Sequence, residues 1–179
     1  VGFCLKPIEP VCPSGRANHD CLYLEKLTAW ESVGAPAACG QCAIREIGSL
    51  ALTAGSAFYI MTSARDILFD LFLPSLRERR FTDGVYVLCR YSFQPFAVGL
   101  QVSGVAAWLF PYERGDCRDY RTWLQADRGV KDDRTTIAEA DRKSIFAALE
   151  GAAVSTRQGR GFKRQGNILY PVTERSEPP

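Results

Sequence analysis

Runs of consecutive apolar residues alternate along this chain with stretches in which apolar residues recur at helical spacing. The apolar runs at 57–61, 85–88 and 105–110 are short, as is typical of strands that are buried on both faces. Residues 67–72 and 136–150 place their apolar residues on one side of a helix, and the second stretch opens with a capping box. This alternation predicts an α/β fold, a three-layer Rossmann-like arrangement with a mostly parallel sheet.

Residues 1–43 differ from the rest of the chain, because they hold five of the cysteines. We interpret them as cysteine-rich loops interrupted by one helix, which Asp20 can cap and which runs to about Val33. No break in composition requires a second domain. The sequence therefore predicts a single α/β domain over residues 1–154, followed by a basic C-terminal arm at 155–179 that could dock to an acidic partner.

The composition narrows the class of protein. The chain has 179 residues, of which 46% are hydrophobic and 23% are charged, so it can bury one sizeable core. Its net charge of +2 is too small to indicate a nucleic-acid partner. No apolar run is long enough to cross a bilayer and no signal-peptide pattern is visible, so we expect a cytoplasmic protein without a membrane span. His19 is the only histidine, which excludes multi-histidine metal sites.

The seven cysteines carry the strongest chemical signal in the sequence. Their number is odd, and a chain with this much apolar content does not need disulfides, so we interpret them as cofactor ligands. Cys39 and Cys42 are three positions apart and directly precede a helix that ends near Gly55. The first N–H groups and the positive dipole end of that helix stabilise thiolates. Such a pair can bind one metal ion or one cluster.

Reactive residues also follow the predicted strands. In a parallel sheet, right-handed crossovers bring every strand-to-helix loop to the same carboxyl edge, so residues that are distant in sequence meet there. Cys4 follows an extended N-terminal segment, Cys89 follows the second strand and precedes a short helix over 95–103, and a charged turn follows the third strand. At this edge we predict a catalytic group of Cys89, Asp116 and Cys117, with Thr62, Ser63 and Arg114 binding a cofactor.

The sequence leaves open which thiols share a metal, and which metal it is. Thiolates are soft ligands that suit iron–sulfur clusters and zinc. The irregular spacing of the N-terminal cysteines fits loops that wrap a cluster better than it fits a compact zinc ribbon. Zinc in a binding or structural subunit stays an alternative, as does a thiol-dependent enzyme that uses Cys89 or Cys117. The predicted metal ligands are four of Cys4, Cys12, Cys21, Cys39 and Cys42.

Six of the cysteines stand in short segments whose order is informative: Phe3-Cys4-Leu5-Lys6, Cys12-Pro13, Cys39-Gly40-Gln41-Cys42, Val87-Leu88-Cys89 and Gly115-Asp116-Cys117. Their order and spacing resemble those of the cysteines in the family known as domain of unknown function 116. The resemblance covers about residues 3–127. This chain departs from the family's pattern just ahead of the CxxC motif, where relatives often have a further cysteine and this chain has Pro36-Ala37-Ala38.

The resemblance implies a cysteine-rich α/β fold with an iron–sulfur cluster of the 4Fe-4S type, because members of that family, found largely in anaerobic bacteria and archaea, are thought to carry such clusters. It implies no particular reaction, since none is established for the family. We therefore expect an iron–sulfur protein that acts in electron transfer or in the reduction of a small molecule. Its partner would be a redox protein or the other subunits of a larger complex.

Overall fold

A computed structural model describes residues 1–27, 33–152 and 161–172. Helices and strands both contribute, so the fold is mixed α/β, as the hydrophobic pattern predicted. The helices are α1 (Leu22–Glu25), α2 (Ala43–Thr53), α3 (Ala64–Ile67), α4 (Leu73–Glu78), α5 (Arg90–Ser103), α6 (Tyr120–Asp127) and α7 (Glu139–Ala152). The strands are β1 (Phe58–Tyr59), β2 (Asp83–Leu88), β3 (Ala106–Pro111), β4 (Phe162–Gln165) and β5 (Ile168–Pro171). A π-helical segment, Leu68–Phe72, joins α3 to α4.

The strands pair in two groups. β2 and β3 are parallel, with Val85 opposite Trp108, and α5 provides the crossover between them. β5 lies between β1 and β4 and is antiparallel to both. The parallel pair agrees with the prediction, whereas the antiparallel group was not predicted. It arises because β4 and β5 are joined by a tight turn, and strands joined in this way can pair only in the antiparallel sense.

The N-terminal residues lie between the end of β1 and the middle of the chain's second strand, β2. The N–H group of Met61 donates a hydrogen bond to the carbonyl of Val1 (2.7 Å), and that of Phe3 donates to the carbonyl of Met61 (2.9 Å). On the other side, the N–H group of Gly2 donates to the carbonyl of Val87 (3.2 Å). Val1 and Gly2 are therefore hydrogen-bonded to both neighbours as the extended segment that the sequence predicted, whereas Phe3–Leu5, predicted as its continuation, form a turn of 3-10 helix.

Successive residues of β2 face two different hydrophobic clusters, as the pleat of a strand requires. Val87 belongs to a cluster to which α2 and α7 contribute Ile44, Ile47, Ile145 and Leu149. Leu88 belongs to a second cluster, to which α5 and the helical segment after β1 contribute Phe96, Leu100 and Leu71. Both faces of β2 are therefore covered, which explains why its apolar residues are consecutive rather than alternating.

Part of the predicted C-terminal arm is folded. The described residues of that segment, 161–172, contain β4 and β5, which form a hairpin alongside β1. Ile168 and Leu169 are buried, and Phe162 packs against Phe58. These residues belong to the fold rather than to an arm, because their apolar side chains enter the core beside the basic ones. The other arm residues, 155–160 and 173–179, lie outside the described residues.

Two helix boundaries differ from the prediction near the cysteines. α1 ends at Glu25, and the predicted continuation to Val33 runs through residues 28–32, which lie outside the described residues. α5 begins directly after Cys89 and contains Pro95, where the sequence predicted the helix to start. Cys89 is therefore the N-cap of α5, close to the free N–H groups of the first turn. None of the helices in the described ranges is long and apolar enough to span a bilayer.

Candidate functional site

Four cysteines of the N-terminal loops line one small pocket of about 10 Å³, which we call the four-cysteine pocket: Cys12, Cys21, Cys39 and Cys42. Cys21 directly precedes α1, and Cys42 directly precedes α2. Cys39 ends a single turn of 3-10 helix, and Cys12 lies in a loop. All except the half-buried Cys12 are buried. The structure thus brings together four of the five thiols that were predicted as metal ligands.

The start of α2 directs positive potential at this pocket. The backbone N–H groups of Ile44 and Arg45, in the first turn of α2, and the Arg45 guanidinium all favour the thiolate form of Cys42. Burial is the larger effect and raises the pKa of Cys42, while these groups offset part of the rise. The helix start is therefore suited to stabilise a thiolate, as the position of the CxxC motif predicted.

Neighbouring sulfurs raise the pKa of the buried thiols Cys21, Cys39 and Cys42. Burial is the main cause of the rise in the pKa of Cys21 to about 12, and the other three sulfurs contribute to it. The pKa of Cys39 is raised by burial and by its proximity to Cys42 and Cys12. Thiols with a raised pKa stay protonated near neutral pH, so Cys21, Cys39 and Cys42 can be thiolates together only when a bound cation balances their charge.

A buried lysine stands beside the same pocket. Lys6 is only 3% exposed, and its ammonium group donates hydrogen bonds to the carbonyl of Gly15 (3.0 Å) and to the side-chain oxygen of Asn18. Burial lowers the pKa of Lys6, while the nearby sulfurs of Cys12 and Cys21 favour its charged form. Sequence reasoning gave Lys6 no role, because its position close to Cys4 does not reveal that it is buried.

An ion-pair network holds the loop that carries Cys21. The guanidinium of Arg164, on β4, lies 2.6 Å from Oε1 of Glu25 and 3.1 Å from Oδ1 of Asp20. The same oxygen of Glu25 accepts a hydrogen bond from the backbone N–H of Cys21 (2.9 Å). The C-terminal hairpin therefore supports the four-cysteine pocket, although the sequence suggested that this segment was an arm.

The four-cysteine pocket fits a metal centre in residue type, number and burial. Its geometry does not single out one metal. Within the described ranges, no three or more His, Cys, Asp or Glu side chains are arranged as a site for a single metal ion. A tetrahedral zinc ion, with Zn–S bonds of about 2.3 Å, needs its four sulfurs roughly 3.8 Å apart. A four-iron cluster binds each sulfur through a different iron and needs them further apart, although the pocket volume of about 10 Å³ is small for a cluster.

The other three cysteines line a separate and larger cavity of about 340 Å³, which we call the three-cysteine cavity: Cys4, Cys89 and Cys117. They follow the N-terminal segment, β2 and β3 respectively. The structure therefore confirms neither a single site for all seven thiols nor the placement of Cys4 with the N-terminal ligands. Instead, Cys4 shares a cavity with the two cysteines that were predicted as catalytic.

Cys89 and Cys117 interact directly. The two thiols share one proton, and this is the main reason why the pKa of Cys89 lies well below that of a free thiol. The Ser92 hydroxyl, 3.0 Å from the Cys89 sulfur, and the N–H groups of Ser92 and Cys117 act in the same direction. The pKa of Cys117 is raised, because its proton is shared with Cys89. The pair is therefore a thiolate beside a thiol.

Hydrogen bonds orient the polar side chains around this pair. The indole N–H of Trp123 donates a hydrogen bond to the Ser92 oxygen (3.1 Å), which leaves the Ser92 proton free to point at the Cys89 sulfur. Lys131 is 8% exposed, lines the cavity and donates to Asp133 (3.1 Å). Burial raises the pKa of Cys4 to about 11, although the charge of Lys131 opposes the rise. Sequence reasoning missed Ser92, Trp123 and Lys131.

The predicted cofactor-binding residues have different positions. Thr62 lines the three-cysteine cavity, but its hydroxyl donates to Asp66 (2.6 Å). Ser63 is the N-cap of α3, and its oxygen accepts the N–H of Asp66. Arg114 is exposed, does not line the cavity, and forms a backbone bridge with Thr136. Of these three, only Thr62 reaches the cavity.

Asp116, which was predicted as catalytic, does line the three-cysteine cavity. Its carboxylate lies 3.3 Å from the guanidinium of Arg90, on the first turn of α5. That guanidinium also donates to the carbonyl of Tyr112 (2.8 Å). Asp116 therefore links the turn that carries Cys117 to the helix that begins after Cys89.

A scan against models of protein families finds no match, and searches of curated proteins and of solved structures find none either. The resemblance to domain of unknown function 116 stays a prediction. The functional interpretation therefore rests on the two groups of cysteines and on the residues that surround them.

Proposed function

We propose that this chain is an iron–sulfur protein whose cluster is held by Cys12, Cys21, Cys39 and Cys42. The observation that supports the proposal is that these four thiols, spread over 31 positions, line one pocket. A 4Fe-4S cluster bound there would supply one-electron transfer. The resemblance to domain of unknown function 116 favours the same chemistry.

The surrounding residues suit such a centre. The N–H groups of Ile44 and Arg45 favour the thiolate form of Cys42, and Lys6 contributes a buried positive charge that offsets the charge of the thiolates. Burial of three of the four cysteines excludes water from the sulfur atoms. Cys12 is the half-buried member, so the side of the pocket that it occupies is where a redox partner protein could receive an electron.

The fold part of the proposal is a doubly wound, Rossmann-like sheet with helices on both faces. It is supported by the hydrogen bonds of Val1, Gly2 and Phe3, which link the end of β1 to β2, and by the two hydrophobic clusters on either side of β2. In a sheet of this kind, ligands bind at the carboxyl ends of the strands, where Cys4, Cys89 and Cys117 lie. Free thiols in this number also favour a reducing compartment, so we place the protein in the cytoplasm.

Zinc is the second candidate, because four cysteine thiolates, two of them in a CxxC motif, are also the usual ligand set of a structural zinc ion. In this case the chain would be a binding module or a structural subunit of a larger complex. The metal would tie the N-terminal loops to α2, and the protein would have no redox role at this site.

Metal analysis separates the two candidates. The protein should be purified without oxygen, and iron, zinc and acid-labile sulfide should be quantified, with electron paramagnetic resonance of the reduced sample. We expect iron and sulfide in a ratio near one, and loss of both in Cys21→Ser. Cys4→Ser is the matched control and should retain the iron.

Other results would contradict the proposal in distinct ways. Zinc without sulfide would establish the zinc site instead. Equal loss of iron in Cys4→Ser and Cys21→Ser would show that the ligand set is wrong. Protein that contains neither metal after anaerobic preparation would exclude both candidates.

A further inference from the structure

We propose that Cys89 and Cys117 form a redox-active dithiol that reduces small organic disulfides in the three-cysteine cavity. The reduction itself needs only the two thiols, whereas their regeneration rests on the proposed iron–sulfur function. The proposal concerns a part of the fold that shares no cysteine with the four-cysteine pocket.

The fold holds the two sulfurs together from both sides. Cys89 is the single residue between β2 and α5 and is the N-cap of that helix, and its sulfur lies 3.0 Å from the Ser92 hydroxyl. Cys117 follows β3, the strand that pairs with β2, and it lines the same cavity as Cys89. Because neighbouring parallel strands end at the same edge, the two sulfurs meet without a special insertion.

The turn before Cys117 is fixed by close packing. The N–H of Glu113 donates to the carbonyl of Thr136 (2.8 Å), and the N–H of Thr136 donates to the carbonyl of Arg114 (3.2 Å). Gly115 has φ +70°, and a Cβ there would lie 2.4 Å from the carbonyl oxygen of Arg134. The turn therefore cannot shift freely, and it holds Cys117 in hydrogen-bonding reach of Cys89.

The cavity fits a small substrate with apolar groups. Its volume of about 340 Å³ lies at the low end of the range for small-molecule sites, and its walls include Leu68, Phe72, Phe96 and Trp123. The remaining titratable groups on its walls are Cys4, Tyr112, Asp116, Asp127 and Lys131. Cys4 is buried in the same cavity and its thiol is held protonated, so it serves as an internal control for reactivity.

The surroundings give the two cysteines different tasks. Cys89 is the attacking sulfur, because it stands at the N-terminus of α5 with the Ser92 hydroxyl 3.0 Å from its sulfur, and Cys117, whose pKa is raised, is the resolving sulfur. The Cys89 thiolate attacks one sulfur of the substrate, R–S–S–R′, so that a mixed disulfide forms and R′–S⁻ leaves and takes up a proton. Cys117, having given its proton to solvent, then attacks the Cys89 sulfur and releases R–S⁻, which is protonated in turn.

The atoms and electrons of this reaction are balanced. One substrate disulfide is reduced to two thiols, and one disulfide forms between Cys89 and Cys117. Two electrons and two protons then restore the dithiol. A cluster held by the four-cysteine pocket would supply these electrons one at a time, and the experiment below does not need them.

The test uses the full chain, prepared without oxygen, and one equivalent of 4,4′-dithiodipyridine, a small aromatic disulfide. Peptide mapping by mass spectrometry assigns every modified sulfur. We expect the wild type to release two thiopyridones and to form a disulfide between Cys89 and Cys117. Cys117→Ser should release one and keep the thiopyridine on Cys89, while Cys89→Ser and Cys89→Ala should lose the fast phase, at least about tenfold in rate, and leave Cys4 unmodified.

Three outcomes would overturn the proposal. The first is an unmodified Cys89 in Cys117→Ser, and the second is a wild type that keeps the thiopyridine without forming the internal disulfide. The third is loss of iron or zinc in Cys89→Ser, which would show that these cysteines bind metal. Retained near-ultraviolet circular dichroism shows that each variant is folded. A protein without iron that still shows the fast phase would contradict only the proposed function, and one with iron but without the fast phase would contradict only this inference.

Discussion

The Ser92 hydroxyl is the part of the dithiol site that a substitution can remove with least disturbance. It lies 3.0 Å from the Cys89 sulfur and accepts the indole N–H of Trp123. Ser92→Ala removes one donor to the Cys89 thiolate and leaves the Cys117 thiol and the backbone donors in place. Because the thiolate loses stabilisation and the thiol does not, the pKa of Cys89 should rise.

The size of the rise follows from the strength of the lost bond. A hydrogen bond to a charged group contributes about 1.5–3 kcal/mol. One pKa unit corresponds to about 1.4 kcal/mol of difference between the two protonation states. Removal of the Ser92 donor should therefore raise the pKa of Cys89 by about 1–2 units, and by less if the Cys117 thiol compensates by donating a stronger bond.

The rise has opposite effects on reactivity at low and at high pH. At a pH below the Cys89 pKa of both proteins, each unit by which the substitution raises that pKa lowers the thiolate fraction tenfold. The same unit raises the intrinsic nucleophilicity of the sulfur roughly threefold, so Ser92→Ala should react about 3- to 12-fold more slowly. Above both pKa values the thiolate is fully formed in both proteins, so the variant should react about 3- to 8-fold faster. The two pH–rate curves should therefore cross.

The assay is the rate at which the Cys89–Cys117 disulfide forms with bis(2-hydroxyethyl) disulfide, which has no titratable group of its own. Samples are quenched in acid and read by mass spectrometry between pH 4 and 10. Trp123→Phe is the matched control, because it keeps the Ser92 hydroxyl and removes only the bond that orients it. We expect its curve to lie between those of the wild type and of Ser92→Ala.

A parallel loss of rate at every pH would refute this reasoning, because it would mean that Ser92 shapes the cavity without stabilising the thiolate. The same rate profile in all three proteins would show that Cys89 takes no stabilisation from the Ser92 hydroxyl.

Two further predictions concern the turn before Cys117 and the four-cysteine pocket. Gly115→Ala should cost about 2–4 kcal/mol in the free energy of unfolding and should slow the dithiol reaction, because Gly115 has a positive φ and its Cβ would also meet Arg134. Gly104→Ala is the control and should cost only about 1 kcal/mol, because Gly104 has φ +72° but open space around it. Urea denaturation measures both free energies. Lys6→Met should lower the reduction potential of a cluster on the order of 50 mV, because a buried positive charge is lost, and redox titration checks this. Unchanged values would contradict the respective packing or charge argument.

The sequence predicted the sites that depend on topology. Cys89 and Cys117 were expected to meet, because each follows an apolar run and parallel strands end at one edge; the structure places both on the wall of the three-cysteine cavity. The CxxC motif was correctly placed at the start of a helix, since Cys42 directly precedes α2. Such predictions need only the order of strands and helices, which the hydrophobic pattern contains.

What the sequence did not reveal depends on packing at a distance. Cys4 was grouped with the N-terminal cysteines because it is near them in the chain, yet it follows a segment that is hydrogen-bonded between Met61 and Val87, and so it reaches the other cavity. The β4–β5 hairpin escaped notice because its basic residues suggested a solvated tail. In the structure the hairpin pairs with β1, and Leu169 is buried there.

The two groups of cysteines differ in the charge that each can hold. In the four-cysteine pocket, burial and mutual repulsion raise the pKa of Cys21, Cys39 and Cys42, so the thiolates need a metal to exist together. In the three-cysteine cavity, hydrogen-bond donors lower the pKa of Cys89 without any metal, and Cys117 keeps the proton. A site of the first kind suits electron storage on a bound cofactor, whereas one of the second kind suits covalent chemistry by the sulfur itself. Under the two proposals, electrons would enter singly at the four-cysteine pocket and would be used in pairs at the dithiol.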